Sequence, residues 1–234
     1  MAISDRPGEN ETIMTLSEVA RFLKVGERTI LKMIHEGEIP GIRIGNQWRF
    51  MGPMIEQWLL SKARDVPQDE LTRLIESDDS AVPVSRLIDP RFVVLDIESG
   101  TVPDVLRRLS APLLNAEEIT ADGLESLVNS LVYREGIRST AVEDGVAFPH
   151  LRTPAHQPVS GPVILVGRCP EGTEFGAPDG KPTHLFFMVC TRSIVVHLRT
   201  MAKLAQAIQS TGIKNAIMSA GTEEEVLAAF LGLA

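Results

Sequence analysis

The stretch from Ala63 to Ser85, ARDVPQDELTRLIESDDSAVPVS, constrains this chain more than any other, because it is acidic, carries two prolines and offers only one short helical repeat, around Leu71, Leu74 and Ile75. It reads as a linker over residues 65–82, so the 234 residues are expected to fold as two modules. The other reading open to it is an extra helix, docked on one module or pairing two chains through those three apolar residues. Charge divides at the same place. Residues 14–64 hold eight Lys/Arg against five Asp/Glu, a balance of +3, whereas residues 65–234 hold fourteen against twenty-three, a balance of -9. A polyanion partner suits the first module and is disfavoured for the second. The longest apolar run of the C-terminal half, LFFMVC at Leu185–Cys190, is too short to cross a bilayer, and residues 1–13, taken as a flexible N-terminus, have no apolar signal core. A cytoplasmic protein without membrane insertion is expected. Cys169 and Cys190 lie in apolar strand-like runs with no partner at metal-ligand spacing, which reads as two buried reduced thiols, with no metal or cofactor implied.

In residues 14–64, Thr15 precedes Glu18 by three positions, the spacing of a capping box, so a helix is expected to start there. Val19, Ala20 and Leu23 repeat at helical spacing, Val25-Gly26 interrupts, and Ile30, Leu31 and Ile34 resume before Gly37 and Pro40. Two short helices across a tight turn make a helix-turn-helix pattern. GIRIGNQWRF follows, in which Ile42, Ile44, Trp48 and Phe50 alternate with Arg43, Gln47 and Arg49 around a Gly45-Asn46 turn signal. A three-residue loop, Gly45 to Gln47, would set Ile44 opposite Trp48 and Ile42 opposite Phe50 on a buried face. It would also place Arg43 across from Arg49 on the open face, an arrangement suited to a phosphate backbone.

From Leu87 onward the pattern becomes mixed α/β. Strands are expected at RFVVLDI, GVAFPH, PVILVGRC and HLFFMVC, and helices at VPDVLRRLSAPLL and ADGLESLVNSLVYR. Two closing helices are expected, IVVHLRTMAKLAQAIQ and one starting at Thr222 with Glu225 in capping-box spacing. The run GVAFPH halts at Pro149 and presents His150 at a strand end. His197 stands near the start of a helix that follows a strand, where the macrodipole disfavours an imidazolium and welcomes an added anion. Phosphoryl transfer to a histidine needs a neutral ring nitrogen, groups that hold the phosphoryl oxygens, and exclusion of water. A second imidazole can supply part of that. His35, His156 and His184 carry only structural readings.

On these residues two resemblances rest. LSEVARFLKVGERTILKMIHEGEIPGIRIGNQWRF, with the closing helix around Trp58, resembles the excisionase-type, MerR-related winged helix-turn-helix family. That resemblance implies a DNA-binding head over residues 14–64, with Arg28, Thr29 and Lys32 of the second helix in the major groove and Arg43 and Arg49 of the wing on the backbone. At +3 one copy should bind DNA feebly, which implies a homodimer or neighbouring factors. SLVYREGIRSTAVEDGVAFPH, PEGTEFGAPDGKPTHLFFMVC and HLRTMAKLAQAI resemble enzyme IIA of the fructose and mannitol class of the phosphoenolpyruvate-dependent sugar phosphotransferase system (PTS), including its nitrogen-regulatory branch. This second resemblance covers residues 83–234 and implies a mixed-sheet α/β fold. It also implies phosphorylation of His150 by an HPr-like phosphocarrier protein, with His197 as second active-site histidine and Arg134 near the phosphohistidine. The chain departs from the family's STGIGNGVAIPH-Gly pattern at Glu143 and Asp144, which add negative charge, and at Leu151, which is expected to narrow the approach. The two resemblances together imply a PTS-linked transcription regulator switched by phosphorylation of His150. A phosphocarrier with a protein-docking head, or an unphosphorylated scaffold, is the alternative.

Overall fold

The computed structural model describes residues 13–23, 25–52, 54, 55, 58, 84–151, 159, 161–192 and 194–231. The linker assigned to 65–82, its helical stretch around Leu71, residues 1–12 and His156 lie outside the described residues. By its contacts the chain divides into two units, residues 1–81 with 193–206, and residues 82–192 with 207–234.

In the first unit, β1 (Ile13–Thr15) leads into α1 (Leu16–Phe22), followed by α2 (Glu27–His35), β2 (Ile42–Ile44) and β3 (Gln47–Met51). The expected capping box forms. Thr15 accepts from the Glu18 amide at 3.3 Å, and the Glu18 carboxylate accepts from the Thr15 amide at 2.7 Å. Val19, Ala20, Leu23 and Ile30 bury their side chains with Met14, Phe22, Ile39, Phe50 and Ile55. Leu198, from residues 193–206, belongs to the same apolar cluster. Trp58 partly packs on it and donates its indole N–H to the Glu38 carbonyl, a structural role.

The hairpin register differs from the expected one. Ile44 pairs with Gln47, Arg43 with Trp48 and Ile42 with Arg49, so the loop is the two residues Gly45-Asn46. Gly45 has φ +60°, which suits the first central position of a tight hairpin turn. Strand β1, unexpected from sequence, pairs with the other edge of β3 and sets Met14 opposite Phe50. The inner face of β3 packs on α1, with Met14 of β1 and Ile30 of α2 in the same apolar cluster as Phe50, and does not need the isoleucines of β2. One step of register turns Ile42 and Ile44 outward, 42% and 60% exposed, beside Arg49. Arg43 and Arg49 consequently lie on opposite faces of the sheet.

The second unit is a five-stranded mixed sheet of order β4-β7-β8-β6-β5. Its strands are β4 (Ile88–Val94), β5 (Ala141–Val142), β6 (Val146–Ala147), β7 (Val163–Thr173) and β8 (Thr183–Cys190). The β4–β7 and β6–β8 pairs are parallel, and the β5–β6 and β7–β8 pairs antiparallel. Helices α3 (Val102–Asn115) and α4 (Ala121–Ile137) bring Leu106, Leu109, Leu113, Leu127 and Leu131 into one core with Leu165, Cys169, Phe186, Met188 and Cys190. The alternate residues of β8 are buried as well, with the Phe187 ring 6.0 Å from Phe148 and 6.1 Å from Phe230. Burial on both faces explains why these central strands read as unbroken apolar runs. Gly167 lets α3 approach closely, since a Cβ there would stand 2.5 Å from Ile97 Cδ1 and 2.7 Å from Leu109 Cδ1.

After β8 come α5 (Ile194–Gln209), α6 (Thr211–Ser219) and α7 (Glu223–Leu231), three closing helices rather than the expected two. At the start of α7 the Glu225 amide bonds to Thr222 as expected, but the Glu225 carboxylate accepts from the Gly221 amide instead of completing a box. The Arg168 side chain on β7, nearly buried, donates to the carbonyls of Ile217, Met218 and Ala220 and so closes the end of α6. Cys169 and Cys190 are buried and unbridged, and burial pushes the Cys190 thiol up to about 12. Among the described residues no helix is long and apolar enough to cross a membrane, and no group of three or more His, Cys, Asp or Glu could hold a metal ion.

Candidate functional site

His150 follows a very short strand. Only Val146 and Ala147 join the β8 ladder before Pro149, which has no amide N–H, ends the pairing. The segment leaves the sheet yet stays inside the protein, and His150 is only 2% exposed. Its Nδ1 lies 2.7 Å from the Phe148 carbonyl oxygen, and its Nε2 lies 3.2 Å from Arg134 Nη2. A carbonyl can only accept and a guanidinium can only donate, so Nδ1 carries the ring proton and Nε2 presents a lone pair. The ring is thus a neutral imidazole whose nucleophilic nitrogen faces a cation.

Arg134 comes from the last turn of α4 and is 7% exposed. Its Nη1 donates to the Arg138 carbonyl at 2.7 Å, tying the guanidinium to the end of its own helix. Glu135, next in the chain and 9% exposed, accepts from the Thr140 amide at 2.8 Å and from the Thr140 hydroxyl. Burial pushes the Glu135 carboxyl up from its ordinary value, against the Thr140 hydrogen bonds and the nearby charge of Arg134.

The turn from β5 to β6 is Glu143-Asp144-Gly145, with Asp144 at φ +62° and Gly145 at φ +74°. Glu143 and Asp144 point to solvent, and Asp144 lies 3.8 Å from Lys214 Nζ. Leu151 is buried in the apolar core. His197 is the fourth residue of α5 and is buried. The structure thus brings Arg134 onto His150 and places His197 in the segment grouped with the first unit. Sequence reasoning passed over Glu135 and Thr140; its only signal for them was the adjacency of Arg and Glu in YRE.

Of the residues expected to meet DNA, Arg28, Thr29 and Lys32 are exposed on α2, with Lys32 Nζ 3.7 Å from Glu36. Arg43 is exposed on β2, while Arg49 is half-buried, donating to Gln47 and to the Trp48 carbonyl.

A family model described as "Phosphoenolpyruvate-dependent sugar phosphotransferase system, EIIA 2" matches residues 86–232, and one described as "Helix-turn-helix domain" matches residues 13–63. The chain is 25% identical over 146 residues to the PTS system fructose-specific EIIABC component of Bacillus subtilis, covering 62% of this chain and 22% of that protein. It therefore spans about a fifth of that relative's length. It is 26% identical to the nitrogen regulatory protein of Bradyrhizobium diazoefficiens, over 56% of this chain and 84% of that one. The solved nitrogen regulatory protein IIA-Ntr of Neisseria meningitidis superposes with a TM-score of 0.55 at 28% identity, covering 63% of this chain and 98% of its own.

Proposed function

Because the chain belongs to the EIIA 2 family of the phosphoenolpyruvate-dependent sugar phosphotransferase system, we propose that it is a transcription regulator of that system, in which His150 takes a phosphoryl group and the N-terminal head binds DNA. The observation that carries the reading is the pair of contacts on His150, with Nδ1–H held by the Phe148 carbonyl and Nε2 facing Arg134. In the reaction, Nε2 attacks the phosphorus of a phosphohistidine on an HPr-like donor. The new N–P bond forms as the donor's N–P bond breaks, and the electron pair stays on the donor nitrogen. Arg134, freed from the ring lone pair, turns its N–H groups on the phosphoryl oxygens. The proton stays on Nδ1, donated in a hydrogen bond to the Phe148 carbonyl, so the phosphorylated ring is cationic and a good leaving group for onward transfer. The family resemblance names His197, at the start of α5, as the second active-site histidine.

The added charge of about -1.5 to -2 at a site this buried is the switch. Support for the head as its output comes from the exposed Arg28, Thr29 and Lys32 on one helix of a helix-turn-helix unit. The second reading, a phosphocarrier whose head docks a protein, draws on the exposed isoleucines 42 and 44 of the wing. The test incubates the full chain and His150→Ala with phosphoenolpyruvate, enzyme I and the small phosphocarrier protein, and follows intact mass. One phosphoryl group on the wild type and none on the variant is expected, and DNA binding is then compared between the two states as salt is raised. A wild type that gains nothing beside an active control EIIA refutes the reading. Phosphorylation without salt-sensitive DNA binding selects the docking head.

A further inference from the structure

Two neighbours on the last turn of α4 reach His150 by separate routes. Arg134 touches Nε2 directly. Glu135 reaches the other nitrogen through a chain of hydrogen bonds. Its carboxylate accepts from the amide and hydroxyl of Thr140, the Thr140 carbonyl accepts from the Phe148 amide at 3.2 Å, and the Phe148 carbonyl accepts from His150 Nδ1–H at 2.7 Å. Glu135, Thr140, Phe148 and His150 are all at least nine-tenths buried, so water has no ready way to replace a broken link. The Thr140–Phe148 bond extends the β5–β6 ladder one step beyond the Ala141–Ala147 pair. It therefore sets the direction of the Phe148 carbonyl, and Pro149, with fixed φ, limits how far the histidine can swing.

A chain of hydrogen bonds of this kind is not needed merely to end a helix, since the exposed Arg138 already adopts the extended conformation that terminates α4. We propose that Glu135 is a positioning residue for phosphoryl transfer, holding Thr140 and through it the Phe148 carbonyl, so that His150 keeps its proton on Nδ1 and offers Nε2 to the donor. The inference rests on the reading of His150 as the phosphoryl acceptor and goes beyond it by saying what fixes the ring.

The test uses the full chain and the same donor proteins, with two readouts: the rate of phosphoryl gain, and the 15N and 31P resonances of His150, which report its tautomer and which nitrogen carries phosphorus. Glu135→Ala is expected to slow transfer on the order of 10²-fold, the cost of a misplaced reacting group, and to give mixed tautomer signals. Thr140→Val should lose rate in the same direction by less. Combining the two should cost no more than Glu135→Ala alone, because both act on one chain of bonds. Glu135→Gln should recover most of the rate and the Nδ1–H tautomer, since its amide accepts from the Thr140 N–H and donates to the hydroxyl. Glu135→Ala at the wild-type rate with unchanged tautomer overturns the inference. If that variant does not fold, Thr140→Val at the wild-type rate overturns it equally. A wild type that takes no phosphoryl group, or keeps taking it after His150→Ala, overturns the functional reading instead, and so separates the two failures.

Discussion

Replacing Arg134 tests the site most directly. Among the described residues, the guanidinium is anchored on the Arg138 carbonyl at 2.7 Å and faces His150 Nε2 at 3.2 Å. When a phosphoryl group arrives at Nε2, the ring lone pair is consumed and Nη2 is left beside anionic oxygens in a site from which water is largely excluded. A positioned donor of this sort stabilises a transition state by about 2.7–4 kcal/mol, or about 10²–10³-fold in rate. Arg134→Gln should therefore slow transfer from the phosphorylated donor by about that factor. Arg134→Lys keeps the charge but cannot hold the Arg138 carbonyl and reach the ring with a planar fork, so its rate should fall between the two. Rapid-quench measurement of phosphoryl transfer reads the effect. The same substitutions take one donor from the Arg138 carbonyl, so rates belong well below each variant's unfolding temperature. Arg134→Gln within threefold of wild type, in a folded protein, would refute the assignment.

Arg168→Met should destabilise the protein by about 3 kcal/mol in chemical denaturation, because carbonyls at the end of α6 lose their shared donor; a loss below about 1 kcal/mol would contradict that capping role. Burial holds the Glu135 carboxyl above its ordinary value of 4.5, with Arg134, His150 and Thr140 around it. The folded state then binds that proton more tightly than the unfolded chain, so its contribution to stability is full below about pH 4.5 and declines as pH rises through the folded-state value. Glu135→Gln removes this slope and should gain on the wild type as pH rises above about 4.5, whereas a constant difference in unfolding midpoint would argue against it. Leu198→Ala should cost about 2–5 kcal/mol and loosen amide protection in α1 and α2, as expected for a residue of the cluster they form. If the head binds DNA through α2, Arg28→Ala and Lys32→Ala should each lower the slope of log affinity against log salt by about 1, and an unchanged slope places the contact elsewhere.

Much of the fold could be read from local signals. Thr15 and Glu18 mark the first helix because a capping box is made within four residues. The apolar runs of β7 and β8 mark central strands because both faces are covered. What sequence missed depends on partners far along the chain. Strand β1 is three residues long and exists by pairing with β3, some thirty-five residues away. Without it, burial of Ile42 and Ile44 looked like the way to cover β3, and the register came out one step wrong. Helix α6 buries only Ile213 and Ile217, too short a repeat to stand out between two longer helices. The site divided in the same manner. His150 and Arg134 were legible by resemblance to a family, and the structure brings them together. Glu135 was not, because a charged residue beside an arginine ordinarily reads as a solvated helix face, and only the fold turns it inward toward Thr140.

The first unit's apolar cluster is not built from one continuous stretch of chain. Among the described residues, its buried members come from residues 14–55 and, on α5, from Leu198, the residue after His197. Here the first turns of α5 supply part of the head's core, so a shift in that helix must be accommodated by α1 and α2. Packed cores resist continuous deformation and respond instead by moving between alternative packings.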